Sequence, residues 1–210
     1  MASSGKASVI DRVVEQAREQ YELLLESQYV SNKMRIDGYE TRGQMEDNQR
    51  MVTTEEKSTK TATCLLDVPC KRGSFVEIQK APNDEEYSLK GIIMTEPNRT
   101  PVDYYFSVLL FNATATRERQ QLEYDDDGYI VADRPLVVDE ILCFVNRVGM
   151  RERQLDAGID RDSVNEVITT VNYDIKVDDL LIIGNDKYKV TDIKELDKEI
   201  FHGYITYYRE

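Results

Sequence analysis

The sequence predicts a mainly β chain with one N-terminal helix and two small β-barrels in tandem. Three observations lead there. An apolar stripe at helical spacing is confined to the first thirty residues, the hydrophobic period falls to two from Thr61, and one β pattern occurs twice, 105 residues apart.

Residues 8 to about 30 read as the helix. Ser8 caps it, with Asp11 three positions on completing a capping-box spacing. Ile10, Val13, Val14, Ala17, Tyr21, Leu24 and Leu25 recur at three- and four-residue steps, while Glu15, Glu19, Glu22 and Glu26 lie mostly off that stripe. Such a face packs on its own domain or docks on another subunit, and the sequence leaves both open. Residues 31–60 are polar, carry two glycines and hold no sustained period. They read as an extended arm with room for a short helix around Gln44 to Met51.

From Thr61 the residues alternate. "TATCLLDVPCKRGSFVEIQ" and "YSLKGIIMTEP" are strand-like, with Pro69 marking an edge or a bend. "VDYYFSVLLFNATATR", Val102 to Arg117, is strongly β and long enough to bend or to serve two layers. "EYDDDGYIVADRP" reads as a turn and a short strand. Leu136 to Val148 fits a strand pair or a short helix equally. "SVNEVITTVNYDI", "DDLLIIGNDKYKVTDIKEL" and "EIFHGYITYYRE" complete the strands, with Gly184-Asn185 a hairpin turn. The expected parts are a helix at 1–30, an arm at 31–60, a first β module at 61–117, a connecting segment at 118–162 and a second β module at 163–210.

The repeat is seen by setting Cys70 against Ile175. Leu66 then meets Val171, Val68 meets Tyr173, Lys71 meets Lys176, Phe75 meets Leu180 and Ile78 meets Ile183. After a turn of different length, Tyr87, Leu89 and Ile92 are set against Tyr188, Val190 and Ile193. A tyrosine-rich strand follows in each half. The order suggests one duplicated module, each copy sized for a five- or six-stranded barrel.

The formal net charge is −13, spread as −2, −6 and −5 over residues 1–60, 61–150 and 151–210. A surface this acidic disfavours sequence-specific duplex binding. It suits a protein that DNA passes without sticking, or one that imitates DNA. Three cysteines, Cys64, Cys70 and Cys143, with no C-x-x-C, read as reduced, buried thiols of a protein made inside a cell. No signal peptide or membrane span is evident.

Catalytic parts are not evident either. His202 is the single histidine and has no recognisable nucleophile partner, and no phosphate-binding glycine motif is present. In "EYDDDGYIVADR" Glu123, Asp125, Asp127, Gly128 and Ile130 follow the calcium-loop order, but Arg134 stands where the bidentate glutamate belongs. A solvated Asp-Gly turn between strands is the better reading. "DAGIDRDSVNE", Asp156 to Glu166, lacks metal-ligand spacing, and there is no Cys/His cluster for zinc. Tyr104, Tyr105, Tyr204, Tyr207 and Tyr208 offer stacking surfaces without neighbouring basic residues, which favours core rim or protein interface. The expectation is therefore a non-enzyme with no catalytic, cofactor or metal residues.

"IKVDDLLIIGNDKYKVTDI" resembles a segment of head–tail connector proteins of tailed bacteriophages, of the stopper or head-closure type. The resemblance runs through Val177, Asp178, Asp179, Leu180, Ile182, Gly184, Tyr188, Val190 and Ile193, with Asp178 where those proteins usually have glycine. The first module is similar through Arg72, Gly73, Phe75, Val76, Tyr87, Leu89 and Ile92, and "NRTPVDYYFSVLLFN" has the same character. It covers residues 61–117 and 163–210, and SH3-like and OB-like barrels share the pattern. The resemblance implies a virion protein of the phage neck, at the head–tail junction, made in the host cytoplasm. It implies a homo-oligomeric ring joining portal or adaptor to tail proteins, with passing contact with packaged DNA, no membrane and a part in genome ejection. Open strand edges on a barrel would pair with a neighbour in the ring. Tail completion, capsid attachment and an acidic DNA mimic are the alternatives.

Overall fold

A computed structural model describes residues 8–27, 31–47, 58–81, 84–124, 127, 129–149, 162–194 and 196–208. Two compact units divide the chain, Met1–Leu110 and Phe111–Glu210. Helix α1 (Val9–Glu26) starts at its capping box. The Asp11 N–H donates to Ser8 Oγ at 3.1 Å, and the Ser8 N–H to Asp11 Oδ2 at 2.9 Å. One side of α1 packs on the first unit, where Leu25 is buried and the Tyr21 hydroxyl donates to Thr63 Oγ1 at 3.0 Å. At the other end the Arg42 guanidinium reaches the Leu25 carbonyl at 3.3 Å, and the Ser31 hydroxyl donates to the same oxygen.

The first unit contains β1 (Asn32–Ile36), β2 (Tyr39–Asp47), β3 (Thr59–Leu65), β4 (Phe75–Ile78), β5 (Leu89–Ile93), β6 (Asn98–Arg99) and β7 (Asp103–Leu110). Its strand order is β3-β2-β1-β4-β5-β7, and β7 pairs back onto β3, so six antiparallel strands close a barrel. The short β6 pairs only with the start of β7. The described residues of the expected arm at 31–60 are therefore wall. They supply β1, β2 and the start of β3, and a two-residue turn at Asp37–Gly38, both at positive φ, joins the first two. Their alternation escapes a hydrophobic count because the buried residues are Met34, Ile36, Thr41 and Gly43, only two of them apolar and large. Gln44 lies in strand, not helix, and residues 48–51 fall outside the described residues.

The second unit contains β8 (Ala113–Tyr124), β9 (Ile130–Arg147), β10 (Asn165–Thr170), β11 (Leu180–Ile183), β12 (Asp186–Ile193) and β13 (Ile200–Tyr207). These close in the order β10-β13-β12-β11-β8-β9. The expected connecting segment at 118–162 is replaced, as far as Arg147, by the long strands β8 and β9, and Leu136 to Val148 yields one strand and no helix. The run Val102 to Arg117 is not one strand. It divides into β7 of one unit and β8 of the other.

Both barrels have the same plan. With the short β6 set aside, each wall runs first, second, third, sixth, fifth, fourth strand and back to the first. Offsets of 81 for β1, 100 for β2, 105 for β3 and β4, and 97 for β5 and β7 carry each ladder onto its counterpart in register. Met34↔Ile78 becomes Ala115↔Ile183. Thr63↔Tyr105 becomes Ile168↔His202. Ile93↔Val108 becomes Val190↔Ile205. The sequence repeat at offset 105 is thus correct through β4 and β11. The later match of Leu89 with Val190 is four residues out of register, because an alternating strand resembles itself after any even slip.

The turn before β4 and β11 is shared in detail. Ser74 and Asp179 donate N–H groups to the Lys71 and Lys176 carbonyls, each at 3.2 Å. Gly73 and Asp178 donate to Ile93 and Val190, each at 2.9 Å, and both have positive φ, 82° and 73°. Asp178 therefore holds a conformation that glycine adopts at no steric cost.

Interior residues differ between the copies while the wall does not. Met34 lies over Gly43 in the first barrel, and the corresponding pair in the second is Ala115 and Cys143. A Cβ on Gly43 would sit 2.0 Å from the Thr63 carbonyl oxygen and 2.9 Å from Met34 Sδ. All three thiols are free; Cys64 and Cys143 are buried, Cys70 is half-buried, and burial pushes Cys143 up to about 12.

Two substitutions test this packing by urea unfolding. Asp178→Gly is expected to stabilise the protein by about 0.5–1 kcal/mol, since it relieves the left-handed backbone and gives up only an exposed pair with Lys189. Gly43→Ala is expected to destabilise it by roughly 2–3 kcal/mol, because the new methyl group meets backbone that cannot step aside.

Candidate functional site

The largest departure between the two copies is at one hairpin. Offsets of 81 in the first strand and 100 in the second make the β8–β9 connection 19 residues longer than the turn at Asp37–Gly38. The extra chain continues both strands. Arg119 pairs with Leu136 and the ladder runs on to Tyr124↔Ile130, whereas β11 leaves β8 at Glu118. A two-stranded ribbon therefore extends about 20 Å past the barrel wall. Register shifts at Thr116/Glu118 and Glu123/Tyr124 mark bulges, which bend and twist such ribbons.

The base of the ribbon is held by an ionic clamp. Arg117 replaces Ile36 in the equivalent position and is buried like it. Its guanidinium donates to both Asp139 carboxylate oxygens at 3.3 Å, to the Asp174 carbonyl at 3.0 Å and to the Tyr173 carbonyl. Arg119 donates to Asp179 Oδ1 and Oδ2 at 2.8 and 2.9 Å, and to the Asp174 carbonyl at 2.6 Å. Asp179 is buried and accepts a third bond from the Lys176 N–H at 2.8 Å. Asp174 sits in the left-handed region, at φ 47°, and its carbonyl accepts from both arginines. In the first barrel Asp179 is replaced by Ser74, also buried.

The ribbon turn contains "EYDDDG", the segment tested by sequence as a calcium loop. Glu123 and Tyr124 end β8, and Ile130 to Arg134 belong to β9, so strands, not helices, flank the segment on both sides. Asp125, Asp126 and Gly128 lie outside the described residues, as does 156–161 of the second acidic stretch.

His202 lies between two carboxylates, with Nδ1 3.3 Å from Glu166 and Nε2 3.7 Å from Asp197. Lys194 Nζ also reaches Glu166 at 3.2 Å. Burial pushes the Glu166 carboxyl up, but the hydrogen bonds and charges of His202 and Lys194 outweigh it and hold it below its ordinary range. Its stabilisation is therefore present above the ordinary carboxylate value and is lost as pH falls through the lower folded one.

The five tyrosines fall in different units, Tyr104 and Tyr105 on β7 and the others on or just after β13. Tyr104 packs against the first core and Tyr204 is buried. Lysines do lie beside two of them, Lys194 over Tyr204 at 5.1 Å and Lys187 over Tyr208 at 5.8 Å. Sequence spacing hid these contacts, since cross-strand register makes them. Both lysines are also paired with glutamates, Lys187 with Glu118 at 2.7 Å and Lys194 with Glu166. A cleft of about 560 Å³ beside α1 is lined by both signs of charge, including Glu22, Lys33, Arg42 and Asp67.

No protein-family model matches the chain, and no curated protein is similar to it.

Removing Arg119 should expose the cost of the buried Asp179. Arg119→Ala is expected to lose roughly 2–3 kcal/mol in urea unfolding, because it leaves a buried carboxylate without its ion partner. Adding Asp179→Ser, the residue of the first barrel, is expected to recover most of that loss.

Proposed function

We propose that the protein is a structural, non-catalytic subunit of a phage neck. Copies form a ring that joins the DNA-filled head, through portal or adaptor, to the tail, and help retain and pass DNA. The observation that carries this reading is the β8–β9 ribbon anchored on its barrel, whose connecting residues Asp125 to Asp127 are acidic in sequence. It fits together with the connector-like residues Val177 to Ile193 and the overall charge of −13.

The physical argument concerns phosphate. Carboxylates on a projecting ribbon repel a passing duplex, but only within roughly 8 Å at physiological salt. A ribbon that runs about 20 Å past its barrel wall brings that repulsion to the DNA while the barrel stays in the wall. The two barrels have closed walls, so edge pairing between barrels is not the ring contact. Among the described residues the longest unpaired edges are those of the ribbon, which is where a neighbour's strand would add.

Antibody to the purified protein, imaged as gold on particles from the source lysate, tests the proposal. Label at the junction of head and tail is expected. Label elsewhere on the particle moves the role to tail or capsid, and none on intact or disrupted particles overturns a virion role.

A further inference from the structure

A helical seam on the flank of α1, about a quarter turn around the helix from the side packed on its barrel, has no cover among the described residues of the first unit. Ile10, Val13, Ala17, Gln20 and Leu24 follow one another at steps of three, four, three and four, the a/d spacing of a coiled coil. All five are exposed. They are distinct from the packed side, which is Val14, Tyr21 and Leu25. Val9 and Leu23 flank the seam and widen it. Exposure is 79% at Val9, 74% at Ile10, 59% at Val13, 66% at Leu23 and 45% at Leu24.

Charge placement says what can cover it. Every charged residue of α1, namely Asp11, Arg12, Glu15, Arg18, Glu19, Glu22 and Glu26, lies off the seam and off its two flanking positions. A basic partner would be drawn to the glutamate side instead. Two copies of a chain with net charge −13 repel each other over most of their surface, and this charge-free stripe is where they can approach. Area points the same way. Val9, Ile10, Val13, Leu23 and Leu24 together present on the order of 500 Å² of apolar surface, at the top of what monomers carry. Pairing the stripe with itself doubles this to the order of 1,000 Å², about what a specific interface needs. Ala17 sits at the middle of the seam and lets two helices come close.

We propose that α1 is a self-association site, its exposed seam pairing with the same seam of a second copy in the free protein. Such a pair has a two-fold axis and is separate from the one-directional contact that repeats around a ring. The two proposals therefore stand or fall independently.

Sedimentation of the full chain over a range of concentrations tests this, with Val13→Glu/Ala17→Glu and, as control, Glu19→Lys. All three positions are exposed, so the barrel is expected to stay folded, as checked by far-UV circular dichroism and by protection of the Cys143 thiol. The expected result is a concentration-dependent dimer for the native chain and for Glu19→Lys. The double variant should associate about tenfold or more weakly. A native chain that is monomeric throughout, or a dimer unchanged in the double variant, overturns the proposal. Gold labelling at the neck decides the other reading whichever way this one falls.

Discussion

Each half of the chain depends on the ladder that closes its sheet. In the first unit this is β3 against β7, from Thr59↔Leu109 to Leu65↔Asp103. In the second it is β10 against β13. Six twisted strands left open would expose two edges and half a core, and a unit of about a hundred residues has little stability to spare. Closure pairs the edge groups and puts Met34, Ile78, Val108 and Phe106 on one side and Ile141, Val167, Val190 and Ile205 on the other into sealed interiors. Everything else, including the helix and the ribbon, is attached to a wall that is already complete.

With the wall fixed, its filling is free to vary. Met34 over Gly43 in one barrel and Ala115 with Cys143 in the other divide a similar volume differently between neighbouring strands. Packing rules allow this, because a core tolerates exchange when total volume and patterning are kept. It explains how two barrels share each ladder register while their sequences look only faintly related. The conserved parts are those the backbone demands, such as the turn in which Gly73 and Asp178 both take positive φ.

One hairpin escapes that economy. Where the first barrel turns in two residues, the second extends a ribbon and holds its base with charge. Arg117 occupies the place of a core isoleucine, and a buried guanidinium is tolerable only because four oxygens surround it. Asp179 is buried for the same reason, with Arg119 and a backbone N–H in attendance. Fixing the ribbon's root makes the direction in which β8 and β9 leave the wall a property of the barrel.

Local chemistry was legible in the sequence. The capping box at Ser8 and Asp11, the Gly184-Asn185 hairpin and the repeat through Phe75 and Leu180 each depend on short stretches of residues, and each is present, whereas the strands begin at Asn32 and not at Thr61. The first two strands were not legible, because Thr41 and Gly43 face inward beside polar neighbours and a pattern of hydrophobicity passes over them. The extent of β9 and the clamp of Arg117 and Arg119 on Asp139, Asp174 and Asp179 were equally hidden. Those partners are 22 to 60 residues apart in sequence. The sequence by itself thus determined the N-terminal helix, the strands of the repeat with the Gly184-Asn185 turn, and the overall acidity. Only the tertiary structure decided where the barrels close, which helix face stays bare and which arginines are buried, because pairing register and burial are relations between distant segments.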